Sequence, residues 1–230
     1  DALPIWDLRP PEIENYRYVM NWLEAVRRIK EYFGNEIFVR GNCDQLPFSL
    51  ASMLRGMENW MMDLYLRDEE LIFETLDYCR EACLQFIRLM ARTGCDMLSN
   101  GDSPAGPDLV PPEIYEKFAF PYEKEVVDAA HRSGLPYALH ICGNTGLILD
   151  KMAETGTDAL ELDYKTDTLT AFQALHDRVT FIGNIAPSGV LALGTTVLVR
   201  RKTEELVSVF SKTNRFILNT LIHGRRNTAM

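Results

Sequence analysis

The sequence lacks several features that would settle its class at once. No apolar run among its 230 residues approaches the ~18 residues of a membrane span, so no transmembrane helix is expected. A basic excess is missing too. The balance of 24 Lys+Arg against 33 Asp+Glu gives a formal charge of −9, which argues against nucleic acid or an anionic membrane as partner. There is no disulfide framework. Five scattered cysteines (Cys43, Cys79, Cys83, Cys95, Cys142), an odd number in a chain well above scaffold size, suit a reducing cytoplasm. The opening DALPIWDLRPPE has no initiator Met and no basic-then-apolar signal order, so a cytoplasmic chain that begins inside a longer protein is expected. Low-complexity tracts, repeats and Gly/Ser linkers are absent. Residues 1–230 therefore read as one domain, with 1–35 as a lead-in and 220–230 as a divergent tail. The dinucleotide fingerprint G-x-G-x-x-G, a nucleophile elbow and kinase signatures are missing as well.

What is present is apolar surface enough to fold, with 47% hydrophobic and 10% aromatic residues. Short apolar runs recur at Glu36–Arg40, Asp96–Ser99, Pro136–His140, Ala159–Leu162, Val179–Gly183 and Arg215–Asn219. Continuous rather than alternating, they read as parallel strands covered on both faces. Helical patterns lie between them: Ser49–Leu66, Asp68–Arg92, Pro111/Pro112–Ser133, Thr145–Thr155, Thr168–His176 and Thr195–Ser211. Such alternation predicts an α/β protein with right-handed crossovers. Of the two architectures it allows, an open doubly wound sheet loses ground without the glycine fingerprint. A (β/α)8 barrel gains from the polar residues after each strand, because barrel enzymes build their sites at strand carboxyl ends. Those residues are Asn42 and Asp44, Asn100 and Asp102, His140, Cys142 and Asn144, Asp163, Asn184, and Asn219. Six runs are too few for eight strands, so part of the barrel is expected to be missing.

One cluster carries sharp chemistry. In LHICGNTG, His140 and Cys142 are two apart at a strand end, on one side of the strand, so imidazole and thiolate can meet one ion. Zinc takes this donor mixture, with an open position where the metal is catalytic. Asp163 at the next strand end can supply a carboxylate. Spacing alone leaves open that Cys142 is a small buried hydrophobe. Cys79 and Cys83 on one helix, and the Met53, Met57, Met61 stripe, read as core packing. His131 and His176 read as helix C-terminal residues suited to the dipole. The seven basic residues between Arg200 and Arg226, facing only Glu204 and Glu205, read as a solvated face, with docking of an acidic partner as the alternative.

Taken together, ALHICGNTGLILDKMAETGTDALELDYK, FIGNIAPSGVLALGT, PFSLASMLRG, DMLSNGDSPAG and PPEIYEKFAFPYEKEV resemble the uroporphyrinogen decarboxylase superfamily. More narrowly, they resemble its corrinoid-dependent methyltransferase branch. The resemblance implies a distorted (β/α)8 barrel and a zinc site with His140 and Cys142 as ligands. It places Asp163 where an acidic residue reaches the metal, and Asp102, Asn144 and Asn184 in motif positions facing the pocket. The expected roles are therefore Asp102 and Asp163 catalytic, Asn42, Asn100, Asn144 and Asn184 substrate-binding, and His140, Cys142 and Asp163 metal-binding. Zinc and a corrinoid supplied by a partner protein are the implied cofactors, and a homo-oligomer is compatible with this reading.

The chain departs from the family in two places. No cysteine follows the last strand in FILNTLIHGRRNTAM, where the family has a second thiol ligand; His223 is the nearby substitute. The family's Arg-rich N-terminal motif and first strand are also absent. The implied activity is transfer of a methyl group between a corrinoid protein and a small-molecule thiol. Alternatives are methyl removal from a methoxylated or methylamine-type donor, porphyrinogen decarboxylation using Asp102 and Arg40, and a non-catalytic barrel fragment.

Overall fold

In a computed structural model of the protein, residues 11–220 are described. Six strands form one sheet in sequential order: β1 (Arg40–Gln45), β2 (Met97–Gly101), β3 (Tyr137–Ile141), β4 (Ala159–Leu162), β5 (Thr180–Asn184) and β6 (Phe216–Asn219). Every neighbouring pair is parallel, and helices fill the connections. Arg40 of β1 and Asn219 of β6 both bond the Glu161 carboxylate of β4, at 2.9 and 2.6 Å. Strands two and three places apart meet this way only if the sheet is curled, with these side chains on its concave face. The chain is thus an α/β protein whose sheet follows barrel order, and β1 and β6 are its two edges among the described residues.

Alternation sorts the side chains. Met97, Ala138, Ala159 and Ile182 make a small cluster on the concave face. Leu98, Tyr137, Leu139, Ile141, Leu160, Leu162 and Phe181 join the main core beneath the helices. His140 and Glu161, paired in register across β3 and β4, share the parity of the concave cluster.

The helices are α1 (Arg17–Phe33), α2 (Pro47–Arg55), α3 (Met57–Leu66), α4 (Glu69–Ala91), α5 (Pro112–Ile114), α6 (Phe120–Arg132), α7 (Leu149–Glu154), α8 (Thr168–Leu175) and α9 (Thr196–Phe210). Asp68, Asp167 and Thr195 cap α4, α8 and α9 through their side-chain oxygens. Cys79 and Cys83 are buried on α4 beside Ile72, Leu76 and Ile87, as core packing predicts. No helix among the described residues is long and apolar enough to cross a membrane.

Two expectations need correction. The first strand is not Glu36–Arg40 but begins at Arg40 and runs through Gln45. Ile37 and Phe38 are exposed, whereas Gly41 and Cys43 face α4. A side chain at Gly41 would sit 2.7 Å from Met90 Cγ and 2.8 Å from Cys95 Sγ, so the close strand–helix approach needs glycine there. Next, the single helix expected over Ser49–Leu66 is two, broken at Gly56, whose φ of +83° ends α2. The methionine stripe therefore does not stay on one buried face: Met53 is 65% and Met57 44% exposed, and only Met61 packs on the core. The lead-in contains a full helix, α1, which presents only Leu23 and Val26 as buried residues.

Candidate functional site

The strand ends fall into two groups, according to what covers them. Over β1 and β2 lies the start of α2. Leu46 N–H donates to Gly101 O at 2.9 Å, and Ser49 N–H donates to Asp102 Oδ1 at 2.7 Å. Asp102 is fully buried. Its other oxygen, Oδ2, and the buried Glu123 Oε1 have no donor aimed at them, while Tyr115 O–H donates to Glu123 Oε2 at 2.6 Å. Two carboxyl groups buried side by side cannot both ionise. Burial pushes Asp102 up to about 7, and burial plus the adjacent Asp102 charge pushes Glu123 well above the carboxylate range. A proton retained between them gives the orphaned oxygens a hydrogen bond. Asp102, expected in the pocket, thus belongs to the packing beneath it.

Asn100 is enclosed as well. Its amide nitrogen donates to Cys43 O (2.8 Å) and Gln45 O (3.2 Å), and its oxygen accepts from Tyr137 O–H at 2.9 Å. These bonds join β1, β2 and β3 and use both of its amide hydrogens. Asn42 is exposed, and its side-chain oxygen accepts from Asp44 N–H at 2.8 Å, shaping the turn where Asp44 takes a positive φ of 64°.

The ends of β3, β4 and β5 are open by contrast. His140 Nε2 lies 3.1 Å from Cys142 Sγ, and His140 Nδ1 lies 2.7 Å from Glu161 O. A carbonyl only accepts, so Nδ1 carries the ring proton and Nε2 turns its lone pair toward the thiol. Holding the distal nitrogen on a carbonyl is how ligating histidines are oriented. Cys142 is half-buried, and burial pushes its thiol up, opposed by a hydrogen bond from Ser103.

The Asp163 charge acts on the Cys142 thiol, adding to the effect of burial. Asp163 Oδ2 accepts from Gly143 N–H at 3.0 Å and its Oδ1 from Lys165 N–H at 3.2 Å. No group of three His, Cys, Asp or Glu residues able to hold a metal exists among the described residues. Each Asp163 oxygen accepts one loop amide, which leaves lone pairs on both. His223 lies outside the described residues. Asn144 is exposed, and its side-chain oxygen accepts from Gly146 N–H. Asn184 is nearly buried, and its amide donates to Asp163 O and Thr166 O at 3.2 and 3.1 Å. Sequence reading missed Thr166 and Glu161; the parity of Glu161 with His140 in adjacent strands was the available signal. A cavity of about 310 Å³ adjoins this mouth, with Tyr164, Asn184, Ile185, Lys202 and Leu206 on its wall.

The uroporphyrinogen decarboxylase family profile matches residues 4–223. The chain belongs to the uroporphyrinogen decarboxylase family. Among its relatives, the methylcobamide:CoM methyltransferase MtbA of Methanosarcina acetivorans is 33% identical over 81% of this chain and 54% of that protein. The uroporphyrinogen decarboxylase of Parasynechococcus marenigrum is 30% identical over 87% of this chain and 57% of that protein. The chain spans about half the length of the curated relatives it matches. Among solved structures, a methyltransferase from Methanosarcina mazei superposes with a TM-score of 0.83. It covers 94% of this chain and 63% of its own, at 22% identity, which speaks for the fold.

Proposed function

We propose that this member of the uroporphyrinogen decarboxylase family is a methyltransferase. It moves a methyl group between a corrinoid carried by a partner protein and a small-molecule thiol. The observation that carries this reading is the donor pair: an imidazole with Nδ1 fixed on Glu161 O, and Nε2 aimed at a half-buried thiol 3.1 Å away. Nitrogen and sulfur donors suit zinc, and His140 and Cys142 would hold it. His223 is the proposed third protein donor. Zinc at this position would keep the acceptor thiol as thiolate at neutral pH, where a free thiol near pKa ~8.5 is mostly protonated.

The chain's own residues do the positioning. Glu161 O keeps the His140 tautomer, Ser103 accepts from Cys142 N–H at 3.3 Å, and Asp163 holds the next amide. The sequence likeness to two methylcobamide:CoM methyltransferases supports the methyl-transfer reading. Five scattered cysteines, an odd number, favour a reducing compartment such as the cytoplasm.

Decarboxylation is the second reading, favoured by decarboxylase relatives that match over 87% of the chain. The enclosure of Asp102, its expected substrate-facing carboxylate, weighs against it. The deciding experiment measures zinc by elemental analysis in the protein, in Cys142→Ser and in His140→Ala, alongside thiol-dependent demethylation of free methylcobalamin. Equimolar zinc and demethylation, both lost in the variants, are expected. A folded protein that takes up no zinc overturns the thiol-activation mechanism and leaves metal-free demethylation, decarboxylation or an inactive scaffold.

A further inference from the structure

Gly143, the residue after the thiol, is held by both of its backbone polar groups, and both holders come from the loop after β4. Its N–H donates to Asp163 Oδ2 at 3.0 Å, and its carbonyl accepts from Thr166 Oγ1 at 3.2 Å. Thr166 is buried, and its hydroxyl is fully used. It accepts from Thr145 N–H at 3.0 Å and lies 3.0 Å from Thr145 Oγ1. With its single proton given to Gly143 O, the Thr145 hydroxyl must be the donor in that pair.

Thr166 is itself braced. Its N–H donates to Asp163 O at 3.0 Å, and Asn184 of β5 ties both the Asp163 and Thr166 carbonyls with one amide group. The conformation so held is one that only glycine takes easily: φ is +88°, and a Cβ at Gly143 would lie 2.4 Å from Asp108 Oδ2. The loop after β4, anchored from β5, therefore acts as a template for the loop that carries Cys142.

We infer that Thr166 is a positioning residue for Cys142, setting the direction of the thiol through Gly143 and Thr145. The inference rests on the metal-binding reading of the His140–Cys142 pair, but it can be tested apart from it. Three quantities are measured for the full chain, Thr166→Val and Thr166→Ser: zinc affinity by chelator competition, the rate of Cys142 alkylation by iodoacetamide followed by peptide mass spectrometry, and Tm. Cys142 can be followed singly because Cys43, Cys79, Cys83 and Cys95 are buried.

Thr166→Val is expected to weaken zinc binding by about 10–100-fold, the range for residues that orient ligands, and to change the alkylation rate severalfold. Thr166→Ser, which keeps the hydroxyl, is expected to restore both. A lower Tm with unchanged affinity and alkylation rate overturns the inference, since packing alone would then explain the residue. If the unaltered protein binds no zinc, the metal reading fails on its own, and equal alkylation rates in it and Thr166→Val would overturn the positioning role. Should Thr166→Val not fold, Thr166→Ala removes the hydroxyl without placing a methyl against the Gly143 carbonyl, and the same outcomes apply.

Discussion

The two halves of the barrel mouth use the same kinds of residue for opposite ends. At the end of β2, Asn100 and Asp102 are buried, Asp102 bonded by Ser49 of α2, with Glu123 and Tyr115 completing the packing. At β3 to β5, His140 and Asn184 end their strands and Cys142 and Asp163 follow in the loops, with Cys142 half-buried. Polar residues at a strand's carboxyl end thus mark the mouth without saying whether they face ligand or hold a helix down. The covering element decides. Pro47 starts α2 immediately after Leu46, so the chain turns back over its own strand end before the side chains can open to solvent. After β3, Gly143 and the residues up to Ile148 make a loop instead, held by side chains from the loop after β4.

The sealed half should be the more sensitive to substitution. Glu123→Ala would leave Tyr115 O–H without its acceptor and the buried Asp102 without its proton-sharing partner. A loss of about 3–5 kcal/mol in urea unfolding is expected, the range for breaking a buried charged network. Glu123→Gln, whose amide donates to Asp102 and accepts from Tyr115, should recover most of it. Equal losses in the two variants would show that side-chain volume, not proton sharing, matters there.

The same half should set the pH dependence of stability. Burial raises Asp102 to about 7, so the folded protein binds this proton more tightly than the unfolded chain does. That contribution is complete below the unfolded carboxylate pKa of ~3.9 and disappears as pH rises through about 7. Stability should fall between pH 5 and pH 8, by up to roughly 3 kcal/mol at the ~1.4 kcal/mol of one pKa unit. Asp102→Asn should make the fall shallower without removing it, because burial alone still raises Glu123. A flat curve in the unaltered protein would sink the shared-proton account.

Much of this organisation was legible in the sequence, and the failures have physical causes. Five of the six apolar runs coincide with strands, because residues such as Leu139, Leu160 and Phe181 face the helices while small or apolar Ala138, Ala159 and Ile182 line the concave side. β1 was misplaced because Arg40, Asn42 and Asp44 give it one polar face, and its helix-facing Gly41 and Cys43 look like loop residues. The His140–Cys142 contact could be read from strand parity. The enclosure of Asp102 could not, since it depends on Glu123 from α6, far along the chain. Thr166 gave no signal either, for its role consists of bonds to the backbone of another loop.

The open half should tolerate more, with one exception in its backbone. Gly143→Ala combines a positive φ with a Cβ crowded against Asp108, and is expected to cost about 1–3 kcal/mol and to lower Tm. The smallest effect should come from the rim beside it. Lys165 Nζ bonds Asp108 Oδ2 at 3.0 Å, yet both side chains are about half exposed, so solvent screens the pair. Lys165→Ala should change unfolding free energy by no more than an exposed pair contributes, a barely measurable limit. Asp108 also accepts from Asn144 N–H, a longer bond of 3.5 Å. A loss well beyond that limit would mean that the rim ion pair, and not the buried threonine and aspartate contacts, holds the loop after β3. The contrast between a sealed, sensitive half and an open, tolerant one would then fail at its tolerant end.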